Sequence, residues 1–276
     1  MKCGRKAIMW IALVLCLVCA VLLALALHSR AEHAKPASKD PEGAIAAQED
    51  EDRTVDVPVD FAAWQERNPD VYAWIEYPGT NVDYPIVQSA EDDAYYLRRD
   101  IDGKEAVAGS LYTEHTYNSK TFDDPVTVIY GHNMANRTMF GGLQTFLSKM
   151  DFSQQHLVYM YQKDRRVTYQ IVGGVQYDLS HIIYYHDFSN DEVFNSFFDQ
   201  LWKETDGTTN LDRANKPVAG DKVLILSVCK NGDDNHRYLV VCKMIEDTAD
   251  PTTWPVADAN KTAANKTDAN KTAANA

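Results

Sequence analysis

Val223-Leu224-Ile225-Leu226-Ser227-Val228-Cys229 is an apolar run that ends in a thiol, and Arg237 follows eight residues later. Seven residues, rich in β-branched side chains, read as a buried strand that delivers a cysteine to the rim of a β-structure. Strand alternation puts Val223, Ile225, Ser227 and Cys229 on one face. The next apolar run spans 237–245, and the stretch between, Lys230 to His236, is full of turn formers. An antiparallel hairpin centred near Asp233 follows. Its register sets Cys229 directly opposite Arg237 and Cys242 opposite Leu224.

That register bears on the cysteines. Of five in the chain, Cys3, Cys16 and Cys19 lie in or before an apolar N-terminal segment, leaving Cys229 and Cys242 beyond it. A disulfide between these two is disfavoured. Five residues along a strand separate roughly 16 Å, against a Cα limit of about 7 Å for a bridge. Cys229 is therefore expected as a free thiol.

The N-terminal segment, residues 8–27, is apolar and uncharged. About 20 residues at roughly 1.5 Å each suffice to cross a hydrocarbon core of about 30 Å. Lys2, Arg5 and Lys6 precede it, so positive-inside bias keeps residues 1–7 in the cytoplasm and exports the rest. Ala24-Leu25-Ala26 has the form of a signal-peptide cleavage site, but the run is longer than a usual signal-peptide core, which favours an uncleaved anchor. The formal charge is -13, and residues 1–30 hold four basic residues and no acid, so the acidic excess lies wholly in the exported part. Such a surface is a poor binder of nucleic acid or anionic membrane.

Residues 28–57 are polar and acidic and read as a flexible tether. Residues 251–276 contain a repeated Asn-Lys-Thr pentad and read as a disordered tail. The folded part is thus 58–250. Asp60 is placed to cap a short helix from Phe61 to Glu66. Val71–Ile75, Val82–Gln88, Ala108–Tyr112, Val126–Tyr130, Leu157–Gln162 and Arg166–Tyr177 have strand composition, with Pro85 marking an edge or bulge. Residues 139–150 suggest a short helix. Asp191–Thr205 carries Val193, Phe194, Phe197, Phe198, Leu201 and Trp202 at helical spacing, with acids at its start. Many short strands and few helices point to a mainly β domain, a single barrel.

The chemistry follows from the thiol. A thiolate is a strong nucleophile and a neighbouring cation favours it. Arg237 supplies a fixed charge and a hydrogen-bond fork but cannot shuttle a proton. Acyl transfer needs an acid for the leaving amine, usually histidine. Among His33, His115, His132, His156, His181, His186 and His236, the best local context belongs to His132, which follows a glycine at the end of a strand. No Cys-x-x-Cys or His-x-x-x-His spacing suggests a metal beyond the membrane segment. No glycine-rich loop suggests a phosphate site.

Leu226-Ser227-Val228-Cys229 with Arg237, and Tyr130-Gly131-His132-Asn133-Met134, resemble the signatures of sortases, the membrane-anchored cysteine transpeptidases of Gram-positive bacteria. Asn68-Pro69-Asp70-Val71-Tyr72-Ala73-Trp74-Ile75, the stretch 78–88 and Tyr95-Tyr96-Leu97 are similar to class B members in particular. The resemblance covers about residues 58–246. It implies a closed eight-stranded barrel with an N-terminal helical segment and one longer helix before the cysteine strand. It also implies catalysis by Cys229, His132 and Arg237 without cofactor or metal, and a groove lined by Leu97 and Ser227. Substrates would be surface proteins with a C-terminal sorting motif. The acceptor would be an amine of a peptidoglycan precursor or a pilin lysine. Two positions depart from the usual Thr-Leu-x-Thr-Cys: Ile225 and Val228 replace the threonines. Two other readings stand beside this one, a cysteine hydrolase that uses water as acceptor and a non-catalytic binding domain at the cell surface.

Overall fold

The structure, a computed structural model, describes residues 55–230 and 233–250. The expected anchor at 8–27, most of the tether and the tail at 251–276 lie outside the described residues. Among the described residues no helix is long and apolar enough to cross a membrane.

Nine strands run β1 (Val71–Tyr77), β2 (Val82–Val87), β3 (Leu111–Tyr112), β4 (Val126–Gly131), β5 (Leu157–Gln162), β6 (Arg165–Tyr177), β7 (Asn210–Leu211), β8 (Val223–Lys230) and β9 (Asp233–Asp247). Their order in the sheet is β5-β1-β2-β3-β4-β8-β9-β6, and pairing of β5 with β6 closes the ring. This is the expected eight-stranded barrel. The two-residue β7 is an addition, bonded to β6 at Gly173 and Gly174. Closure removes the exposed edges that an open sheet would carry. Two pairings are parallel, β2 with β3 and β4 with β8. Pro85 faces Trp74 on β1 and lies outside the short β2–β3 ladder, where its missing N–H costs no strand pairing.

Alternation along β8 divides the apolar residues between two cores. Leu224, Leu226 and Val228 enter the barrel interior with Ile75, Ile129, Tyr169 and Tyr238. Val223 and Ile225 face outward and are covered by the helix that spans Asp191–Leu201. The helices are α1 (Phe61–Arg67), α2 (Leu143–Leu147), α3 (Ile182–Tyr185) and α4 (Asp191–Leu201). Asp60 caps α1 as the sequence suggests, accepting from the Ala63 N–H at 3.1 Å. Asn190 caps α4 by accepting from the backbone of Glu192 and Val193, and Asp191 and Glu192 complement the helix dipole. The apolar stripe of α4 buries Phe194, Phe197, Phe198 and Leu201 against β8 and its neighbours. The helix ends at Leu201, earlier than the expected Thr205, and the Trp202 that follows it is buried and donates its indole N–H to the Asp212 carbonyl at 3.0 Å.

Candidate active site

The ends of β4, β8 and β9 meet at one rim of the barrel. The parallel ladder between β4 and β8 pairs Val126 with Val223 and ends with Tyr130 opposite Ser227 and Gly131 opposite Val228. His132 is the next residue of β4's chain and Cys229 the next of β8. On the other side of β8 the antiparallel ladder with β9 sets Cys229 opposite Arg237 and Leu224 opposite Cys242. Arg237 also faces Tyr177 at the end of β6. The register is the one expected from the sequence. One detail differs: a register shift after Cys229 brings Lys230 opposite Asp233, so Asp233 lies in β9 and not at the centre of the turn.

Local structure explains why the histidine follows a glycine. A Cβ at Gly131 would stand 2.4 Å from a Leu111 methyl and 2.6 Å from the Phe140 ring. Only glycine lets β4 run that close to its neighbours before presenting the next residue at the rim. His132 is partly exposed, and its Nε2 lies 2.8 Å from the Leu97 carbonyl. A carbonyl only accepts, so Nε2 carries the hydrogen and Nδ1 is the nitrogen left for proton exchange. Leu97 sits in the 3-10 turn Tyr95–Arg98, its side chain exposed, and borders a cavity of about 560 Å³ shared with Tyr95, Arg98, Arg99 and Val107. Ser227 is almost fully buried, at 4 % exposure, between Tyr130 and Leu239 on the neighbouring strands.

The two replaced threonines have structural explanations. Val228 is in the barrel interior, 2 % exposed, and Ile225 is fully buried beneath α4. A hydroxyl at either place would sit in apolar surroundings and need a partner. Cys242 is a free thiol, fully buried, and burial pushes its pKa far up. It is therefore inert, and the absence of a bridge to it agrees with the register argument.

Sequence reasoning missed a set of charged groups beside this rim. Tyr130, two residues before His132 on β4, stacks on Tyr112 at a ring separation of 5.4 Å and has the His181 ring 6.4 Å away. Its hydroxyl is buried. Burial and the Glu114 carboxylate suppress its ionisation, while the Arg237 charge acts the other way. Glu114 meets His181 Nε2 at 2.8 Å, and His115 Nδ1 meets Asp93 at 2.6 Å. Burial raises the Glu114 pKa against the pull of His181. For Asp93 burial is outweighed by hydrogen bonds from Thr116 and the charge of His115, which hold its carboxyl below the ordinary 3.8. The only hint in the sequence is the polar pair Glu114-His115 just after an apolar strand. Among the described residues no group of histidine, cysteine and carboxylate side chains is arranged to hold a metal ion.

The Sortase domain family model matches residues 75–245. A sortase B of Listeria monocytogenes is 30 % identical over 179 residues, 64 % of this chain and 70 % of the relative. A sortase B of Staphylococcus aureus is 23 % identical over 188 residues, covering 67 % of this chain and 75 % of that protein. The crystal structure of Clostridium perfringens sortase B superposes with a TM-score of 0.57 at 26 % identity, covering 67 % of this chain and all of that one. That of Bacillus anthracis sortase B also gives 0.57 at 26 % identity, with 67 % and 83 % covered. The chain belongs to the sortase family of cysteine transpeptidases, and its relatives there are sortases B.

Proposed function

We propose that the protein is a membrane-anchored transpeptidase that joins surface proteins to an amine at the outside of the cell, with Cys229 as nucleophile, His132 as proton carrier and Arg237 as fixed cation. The observation that carries this reading is the double register of β8, which brings the residue after Gly131 level with Cys229 and sets Arg237 across from it.

In the first step the Cys229 thiolate attacks the threonine carbonyl of a C-terminal sorting signal. The resulting oxyanion is stabilised by the Arg237 guanidinium. The C–N bond breaks as the leaving amine takes a proton from His132 Nδ1, and a thioester remains on Cys229. In the second step an acceptor amine attacks the thioester carbonyl and gives its proton back to His132. A new amide forms and the thiolate leaves. The hydrogen bond from His132 Nε2 to the Leu97 carbonyl supports this division of labour, because it fixes the ring with Nδ1 available. Leu97, exposed at the rim, suits a role in lining the groove; Ser227 offers little surface and contributes mainly through the backbone beside it. The acceptor is an amine of a peptidoglycan precursor or a pilin lysine, and no metal or cofactor takes part. The anchor at 8–27 and the tether at 28–57 hold the domain at 58–250 against the outer face of the membrane.

A library of peptides ending in candidate sorting motifs, incubated with candidate amines and read by mass spectrometry, tests the reading. The expected product is the peptide cleaved after threonine and extended by one acceptor. Release of the free acid alone with every amine supplied would favour the hydrolase instead. No reaction with any peptide would favour a binding domain.

A further inference from the structure

Glu114 and His115 are neighbours in the segment that leaves β3, and each grips a different piece of the rim. Glu114 accepts from His181 Nε2 at 2.8 Å. The other ring nitrogen of His181, Nδ1, accepts from the Tyr184 N–H at 3.0 Å and caps α3. Both ring nitrogens are thus engaged, and the orientation of the ring is set from both sides. The ring also packs on Tyr117 at 4.4 Å and lies over Tyr130 of β4. His115 reaches the other way to Asp93, which also accepts from the Thr116 N–H at 3.2 Å. Asp93 leads into the turn Tyr95–Arg98, whose Leu97 carbonyl holds His132. One dipeptide thus ties α3 and the Leu97 turn to the same point beside β4.

We infer that Glu114-His115 is a clasp that positions the two segments bordering the catalytic rim, and so sets how tightly the acyl-donor peptide is held. The inference rests on the transpeptidase reading above. Neither residue is asked to touch the reacting atoms. Their effect passes through α3 on one side and the Leu97 turn on the other. Both links are worth more than surface pairs because they are partly buried. The Glu114 and Asp93 side chains are 15 % and 24 % exposed.

The test is steady-state kinetics on a cleaved sorting peptide, run beside alkylation of Cys229 by a small reagent. Glu114→Ala is expected to raise KM for the peptide on the order of tenfold, with kcat and the alkylation rate within about twofold of wild type. His181→Asn keeps a side chain able to cap α3 but too short to reach Glu114, and should raise KM by a similar factor. The double variant should be no worse than either single one. Glu114→Gln, which still offers an oxygen to His181, should recover most of the loss. His115→Ala should raise KM too, through the other segment. An unchanged KM in Glu114→Ala and His181→Asn would overturn the inference. So would equal losses of kcat, alkylation and melting temperature, which mark a merely structural pair. Failure of the transpeptidase reading looks different: wild type would then turn over no peptide, or Cys229→Ala would turn it over normally.

Discussion

At the scale of single residues, the two cysteines beyond the N-terminal segment separate by position in the strand pairing. Cys242 is sealed in the barrel with its thiol pKa pushed far up, whereas Cys229 is the β8 residue paired with Arg237 and holds the proposed catalytic role. An alkylating reagent at neutral pH should therefore label Cys229 and spare Cys242 until the protein is unfolded, as peptide mapping would show; labelling of both in the folded protein would refute the assignment. The replaced threonine at 228 gives a second prediction. Val228 packs among Leu226, Tyr238 and Ile129 in the barrel interior. Val228→Thr keeps the shape but buries a hydroxyl without an evident partner, and should cost about 1–2 kcal/mol by denaturant unfolding. A stabilised variant would mean that a hydrogen bond is waiting there.

At the scale of elements, the barrel depends on how the long strands β6 and β9 are fastened. Arg165 at the start of β6 donates from Nε and an Nη to the two oxygens of Asp247 at the end of β9, at 2.9 and 2.6 Å. Asp247 is almost fully buried, so Arg165→Ala removes the guanidinium that both its carboxylate oxygens face and should cost about 2–4 kcal/mol, somewhat less than a fully buried pair because Arg165 keeps some water contact and the Ala249 N–H still donates to the carboxylate. In the middle of the same pair, a Cβ at Gly174 would stand 2.2 Å from the Tyr238 hydroxyl. Gly174→Ala should lower stability by about 1–3 kcal/mol through overpacking, seen as a lower melting temperature. The sequence discloses such elements unevenly. The β8–β9 register was legible because a hairpin is local and its turn formers and apolar runs fix the pairing. The helix α4 was legible because six aromatic or aliphatic side chains, Val193, Phe194, Phe197, Phe198, Leu201 and Trp202, repeat at helical spacing. The parallel pairing of β4 with β8 was not, since it joins segments about a hundred residues apart whose apolar patterns fit several partners. The Glu114–His181 link, 67 residues apart, is invisible for the same reason, and α3 is too short to leave a periodic signal.

At the scale of the whole molecule, the eight-stranded ring is what the resemblance to sortases implied, and among the described residues the two-residue β7 is the one strand it did not. Acid should loosen the folded domain. Asp93 and Asp123 are held below the ordinary 3.8: hydrogen bonds from Thr116 outweigh burial at the first, and those from Arg165 at the second. A carboxyl whose folded pKa is depressed contributes stability above its unfolded value and loses it as pH falls through the folded one. Glu114 has the opposite sign, since burial raises its pKa, and its contribution partly offsets theirs. The expected result is a melting temperature that falls between about pH 5 and pH 3, with a smaller fall in Asp93→Asn. In the proposed reaction the residue facing Arg237 carries the acyl group. Its most direct test is the intact mass of the protein after incubation with a sorting peptide and no amine. The expected result is an added mass equal to the peptide fragment up to its threonine, mapped to Cys229, released by hydroxylamine and absent from Cys229→Ala. Peptide cleavage without any such adduct, or an adduct that persists in Cys229→Ala, would contradict it.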